Sequence, residues 1–279
     1  MSVVRVSYRV PGDREEAAVA ALWEAGTLGI QVLEGEAGTL RLEAYFEGPG
    51  PGHVSGLAPM GRAEVPAQDW LAPYREAAVP FPVGDRLLLD PRDPDAGPPV
   101  AEPGRTTLRI PARAAFGTGS HETTRLALEL LEPLELEGRS VLDVGTGTGI
   151  LAFAALLAGA WPVVGLDVDP AAPFHARDNA RLNSLHPLLL AGGPGALRPP
   201  VRGGGTGFDA ALVNVVPEEI EADLPAVVGL LRSGGEAIFS GILAASGARV
   251  LRDLAELGLA PVAERTLSEW VAFRVRRTA

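Results

Sequence analysis

The chain contains no cysteine and no lysine; all 24 of its basic residues are arginine. The first absence excludes disulfides, thiol nucleophiles and cysteine-ligated zinc. The second excludes Schiff-base catalysis and the lysine of a phosphate-binding P-loop. No apolar run approaches the length of a membrane span, and the first residues, MSVVRVSYRVPGDREE, carry charge where a signal peptide needs an apolar core. The expectation is a cytosolic protein. Basic charge is also scarce: 35 acidic residues leave a net charge of -11, which argues against nucleic-acid binding. An acidic surface favours encounter with a basic partner, although solubility alone also accounts for it. What is abundant is apolar content, 47% over 279 residues, enough for one large domain or two. The arginine bias, with 34 Gly and 25 Pro, fits GC-rich coding or thermal adaptation equally well.

The most informative stretch runs from Ser140 to Asp169. Val141 to Val144 is a short apolar run that stops at Gly145-Thr146-Gly147-Thr148-Gly149, and Ile150 to Leu157 then suits a buried helix. A second apolar run, Val163 to Leu166, ends in Asp167. Together these form one βαβ unit, with a ligand expected over the carboxyl ends of its strands. A dinucleotide fingerprint places its third glycine three residues after the second; here that position is Ile150, and the glycine comes one residue early at Gly149. No Gly-Lys-Ser/Thr follows, so a P-loop also fails. What fits is a nucleoside without a pyrophosphate, approached closely by Gly145 and Gly147, with Asp167 accepting from ribose hydroxyls. A tight turn in a non-binding α/β domain is the plain alternative. The run Asp143-Val144-Gly145-Thr146-Gly147-Thr148-Gly149 resembles the first motif of the seven-stranded, Rossmann-like S-adenosylmethionine-dependent methyltransferases.

Before this stretch, Val3 to Val10 alternates as a half-buried strand, and a helix follows with Ala18, Ala21 and Leu22 on one face. Two strand candidates come next, Gly29 to Leu33 and Thr39 to Phe46. This βαββ pattern predicts a small α+β, ferredoxin-like domain over residues 1–50 that either binds a partner or braces the larger domain. Glu47 to Gly52 alternates glycine and proline and reads as a boundary. Residues 51–111 read as a linker and connecting segment: a short helix with Trp70 and Tyr74, strands at Arg86–Leu89 and Thr106–Ile110, and an exposed loop from Asp90 to Gly104. Trp70 is either a substrate contact or a packing anchor. Residues 112–279 are expected to form the methyltransferase domain. Its later strands are Pro187–Ala191, Asp209–Asn214, Glu236–Ser240, Leu259–Thr266 and Trp270–Arg276, the last two joined as a hairpin.

Ala115 to Thr124, AFGTGSHETT, is the second informative stretch. Phe116, Gly117 and Thr118 belong to a loop expected to fold over the cofactor pocket. Ser120 can open a helix from His121 to Leu131. A structural loop capped by its own hydroxyls remains the alternative. Combined with DWLAPYREA upstream and SGIL and EWVAF downstream, this stretch resembles the ribosomal protein L-eleven methyltransferase family from about Gln68 to the C-terminus. The resemblance implies S-adenosyl-L-methionine as cofactor, with contacts by Thr124, Gly145, Asp167 and Asn214. It also implies an adenine contact in the Gly192–Gly207 loop. Two stretches depart from the family: Asn214-Val215-Val216-Pro217, and Pro111-Ala112-Arg113-Ala114. Both border the substrate side.

A sulfonium cofactor carries its own electrophile, so the chemistry needs no metal and no covalent nucleophile. Asn214, at a strand's carboxyl end, is the candidate to orient an incoming amine. His121 is expected to shape its loop rather than act as a base. The resulting expectation is an N-methyltransferase acting on lysine side chains or the N-terminal amine of a basic ribosomal protein. The alternatives are a methyltransferase of the same fold with another protein or small-molecule substrate, and a degenerate cofactor-binding module. A glutamine methyltransferase would show Asn-Pro-Pro-aromatic where Asn214-Val215-Val216-Pro217 stands.

Overall fold

A computed structural model describes residues 3–35, 38–51, 53–54, 56–65, 78–111, 119–202 and 205–278. The chain divides into two compact units, residues 1–70 and 71–279. Trp70 and Tyr74 lie outside the described residues.

The first unit contains β1 (Val3–Pro11), α1 (Glu15–Glu24), β2 (Gly29–Glu34), β3 (Thr39–Glu47) and β4 (Pro59–Val65). On β1 the alternation works as read: Val4, Val6, Tyr8 and Val10 are buried with Ala18 and Leu22 of α1. The sheet order is β2-β3-β1-β4, with every neighbouring pair antiparallel, which is the ferredoxin-like order. The second crossover contains no helix among its described residues. Val54 and Leu57 fill the core there from a short bridged turn. The boundary expected at residue 50 is therefore corrected: Val3 to Tyr8 of β1 pair with β4, so the first unit continues past the glycine–proline run. On the opposite face of the sheet Glu43 is buried between Arg5 and Arg41, which pair with it.

The second unit begins with β5 (Phe81–Val83), β6 (Leu87–Asp90) and β7 (Thr106–Arg109), a three-stranded sheet. Then come α2 (Glu122–Leu131), β8 (Val141–Val144), α3 (Ile150–Leu157), β9 (Val163–Asp167), α4 (Ala172–Leu182), β10 (Leu188–Ala191), and the two-residue strands β11 (Val201–Arg202) and β12 (Gly205–Thr206). The chain closes with β13 (Phe208–Asn214), α5 (Pro217–Ile220), α6 (Leu224–Leu230), β14 (Leu231–Leu243), α7 (Gly247–Glu256), β15 (Leu259–Leu267) and β16 (Trp270–Arg277). The large sheet has the order β10-β9-β8-β13-β14-β16-β15. Its first five strands are parallel, and β16 is antiparallel to both neighbours. That is the seven-stranded architecture expected from the sequence, with the terminal hairpin in place.

Alternation along the strands divides the core into two layers. Ala210 and Leu212 of β13 face α2, α3 and α4, while Ala211 and Val213 face α6 and α7. Segment 78–111 is more than a connection, because Val83, Leu89, Leu108 and Ile110 are buried in the first of these layers. The loop after β6 is anchored as well. Asp90 is fully buried and takes a bidentate pair from Arg92, at 2.8 Å to each oxygen. Strand order reverses between β8 and β13, which opens a crevice over their carboxyl ends.

Candidate active site

Below that crevice, β8 runs directly into the glycine turn. Gly145, Gly147 and Gly149 have φ of 70°, 52° and 87°, a region that side chains with a Cβ resist. At Gly145 a Cβ would also meet Val215 Cγ2 at 2.5 Å. The turn is pinned from beneath by Asp143: its Oδ2 accepts from Thr146 Oγ1 at 2.7 Å and from the Ala152 amide at 3.2 Å. Burial pushes the Asp143 carboxyl up to about 7 against the lowering effect of these two bonds, with a further upward push from the charge of Asp167.

Asp167 ends β9 beside the turn. Its Oδ2 accepts from the Gly147 amide at 2.9 Å and its Oδ1 from the Asp169 amide at 3.0 Å. Two backbone donors thus fix the plane of the carboxylate while the residue keeps part of its surface open. The Gly192 amide donates to the Asp167 carbonyl at 2.7 Å, which ties the start of the Gly192–Gly207 loop to the site.

Across the crevice, Asn214 ends β13. Its Nδ2 donates to Thr124 Oγ1 at 3.2 Å. Its Oδ1 is buried and has no hydrogen-bond partner among the described residues. Thr124 is itself fully buried in the first turn of α2. The cap of that helix is His121, not Ser120: His121 Nδ1 accepts from the Thr123 amide at 3.3 Å. The His121 ring also meets Trp270 edge-on, with centroids 5.2 Å apart.

Thr124, Gly145, Gly147, Asp167 and Asn214 therefore line one cleft of about 390 Å³, a volume suited to a small cofactor. Phe116, Gly117 and Thr118 lie outside the described residues. A larger hollow, about 710 Å³, runs beside edge strand β10 between Arg177 and Leu190. Among the described residues its lining has no carboxylate and no glycine turn, so size alone does not mark the site.

A ribosomal protein L11 methyltransferase (PrmA) family profile matches residues 55–278. The ribosomal protein L11 methyltransferase of Geobacter sulfurreducens is 38% identical over 221 residues, 76% of this chain and 70% of that protein. The namesake from Symbiobacterium thermophilum is 36% identical over 264 residues, covering 94% and 81% of the two chains. The crystal structure of a ribosomal protein L11 methylase from Lactobacillus delbrueckii subsp. bulgaricus superposes with a TM-score of 0.62 at 28% identity, covering 72% of this chain and 99% of that one.

The chain belongs to the ribosomal protein L11 methyltransferase family.

Within this family member, sequence reasoning missed the apolar wall of the cleft, formed by Ile150, Val168 and Val215. Two of the three were recognisable by position: Val168 follows the acid at the end of β9, and Val215 follows the asparagine at the end of β13. Residues just beyond a parallel strand's carboxyl end form the rim of such a crevice. Also missed was Asp143 as the pin of the glycine turn. The motif shows an acid there, but its bond to Thr146 depends on the turn's folded shape.

Proposed function

We propose that this chain transfers methyl groups from S-adenosylmethionine to amino groups of ribosomal protein L11. The observation that supports it most is the Asp167 carboxylate, held in plane by two backbone amides, in the same cleft as an Asn214 carbonyl oxygen that has no partner among the described residues. The cleft suits the cofactor chemically. Asp167 would accept from the two ribose hydroxyls, the bare backbone of Gly145 and Gly147 would permit close approach, and Ile150, Val168 and Val215 give an apolar lining.

When bound, the sulfonium supplies an electrophilic methyl group. The protein's part is placement. Asn214 Oδ1 would accept an N–H of the incoming neutral amine and so orient the nitrogen lone pair for attack. The Thr124 bond fixes the asparagine amide so that its oxygen, not its nitrogen, is left for the substrate. The amine loses its proton to solvent on entry. The acceptor is a lysine side chain, the N-terminal amine, or both. Residues 1–70 serve as the substrate-recognition unit, and the reaction takes place in the cytoplasm.

The direct test of the cofactor assignment is calorimetric titration with S-adenosylmethionine, S-adenosylhomocysteine and NAD in turn. The first two are expected to bind saturably at one site and to compete, and NAD is expected not to bind. Binding of NAD in their place would refute the assignment.

A further inference from the structure

Ser240 is buried at the bend of β14 and takes no part in the chemistry described above. In the parallel pairing of β13 with β14, Ser240 stands in register with Asn214, so the two side chains share one face of the sheet. Both reach the first turn of α2. Asn214 Nδ2 donates to Thr124 Oγ1 at 3.2 Å, and Ser240 Oγ donates to the Thr123 carbonyl at 2.8 Å. Two adjacent strand-end side chains thus grip two consecutive residues of one helix. The next residue of β14 closes the arrangement on its other side. Gly241 has φ of 82°, and a Cβ there would meet the Val215 carbonyl oxygen at 2.8 Å. Ser240 and Gly241 therefore bear on both neighbours of the hydrogen-bonded pair, Thr123 beside Thr124 and Val215 beside Asn214.

We infer that Ser240 is a positioning residue for methyl transfer: its bond to the Thr123 carbonyl sets the height of Thr124 against Asn214, and so the direction of the asparagine's free oxygen. The inference rests on the role proposed for Asn214. A purely structural role for this buried hydroxyl would show as a small loss of thermal stability with catalysis intact. A shift of about 1 Å in a reacting group costs up to about 100-fold in rate. A positioning role therefore shows chiefly in kcat.

The discriminating pair is Ser240→Thr and Ser240→Val, which have similar shape and differ in the hydroxyl. Methyl transfer to purified L11 is measured with saturating S-adenosylmethionine for each, for Thr124→Val, and for the double variant Ser240→Val/Thr124→Val, with thermal unfolding recorded alongside. Ser240→Val is expected to lower kcat roughly tenfold with the KM for L11 within about twofold of the parent, and Ser240→Thr is expected to retain kcat to a much greater extent. The double variant should be no slower than Thr124→Val by more than about twofold, because both substitutions break the same chain of contacts. Equal kcat in the Thr and Val variants would overturn the inference, as would losses that multiply in the double variant. If the added methyl unfolds both, the same cycle is run with Ser240→Ala. Failure of the underlying reading looks different: Asn214→Ala would then transfer methyl groups as fast as the parent.

Discussion

The amide of Gly147 donates to Asp167 Oδ2 at 2.9 Å, joining the glycine turn after one strand to the acid that ends the next. Each supports the other. The turn's left-handed glycine presents its N–H, and this bond together with the one from the Asp169 amide fixes the plane of the carboxylate.

Removing that carboxylate tests its role. Asp167→Ala deletes the proposed acceptor for both ribose hydroxyls, each a charge-assisted bond of about 1.5–3 kcal/mol, so affinity for S-adenosylmethionine should fall on the order of 100-fold by titration calorimetry. Asp167→Asn should fall less, since one acceptor oxygen survives. Unchanged affinity in Asp167→Ala would place the ribose elsewhere.

Gly145→Ala should be damaging for two separate reasons, the positive φ and the 2.5 Å approach to Val215 Cγ2. The conformational penalty alone is about 1 kcal/mol. Pairing it with Val215→Ala relieves the contact but not the φ, so the double variant should recover part of the lost cofactor affinity. No recovery at all would mean that Val215 does not press on the turn.

The buried Asp143 predicts a pH dependence. Its carboxyl is raised to about 7, above its value in the unfolded chain, so the folded protein binds the extra proton between about pH 4 and pH 7. Its contribution to stability is present at the acid end of that window and is lost as pH rises through it. Asp143→Asn cannot ionise, so its unfolding midpoint should fall less between pH 5 and pH 8 than the parent's. Parallel curves would contradict this.

Asp209 behaves in the opposite sense. Burial alone would raise it, but bonds from the Ser140 amide, Arg232, the Ser140 hydroxyl and Arg139 lower it to about 2. Its stabilising contribution is present above the ordinary carboxylate value and disappears as pH falls toward 2. Asp209→Asn should lower the unfolding midpoint by a few degrees at pH 7 (about 1 kcal/mol shifts a domain of this size by roughly 2–4 °C), and the gap from the parent should close between pH 4 and pH 2. A gap independent of pH would show that charge is not the cause.

Much of the catalytic unit was legible because its signals are local. Strand, glycine turn, helix and acid all fall between Val141 and Asp167, and the structure brings Thr124, Gly145, Gly147, Asp167 and Asn214 to one cleft. What stayed hidden depends on distant pairing. Pro59 to Glu64 in β4 is exposed and shows no apolar alternation, so its strand conformation comes from pairing with β1 and not from its own pattern. β5 is three residues long with a proline in the middle, too short to carry a period. The bond from Ser240 to Thr123 spans 117 residues of sequence. No motif records a contact of that kind.

The substrate is decided by one experiment: the purified protein is incubated with methyl-tritiated S-adenosylmethionine and a mixture of purified ribosomal proteins that includes L11, and the label on each protein is followed with time. Label is expected on L11 at amino groups, strongly reduced by Asp167→Ala at subsaturating cofactor and by Asn214→Ala. Label on a different protein, or saturable cofactor binding with no label on any protein, would contradict the proposed function.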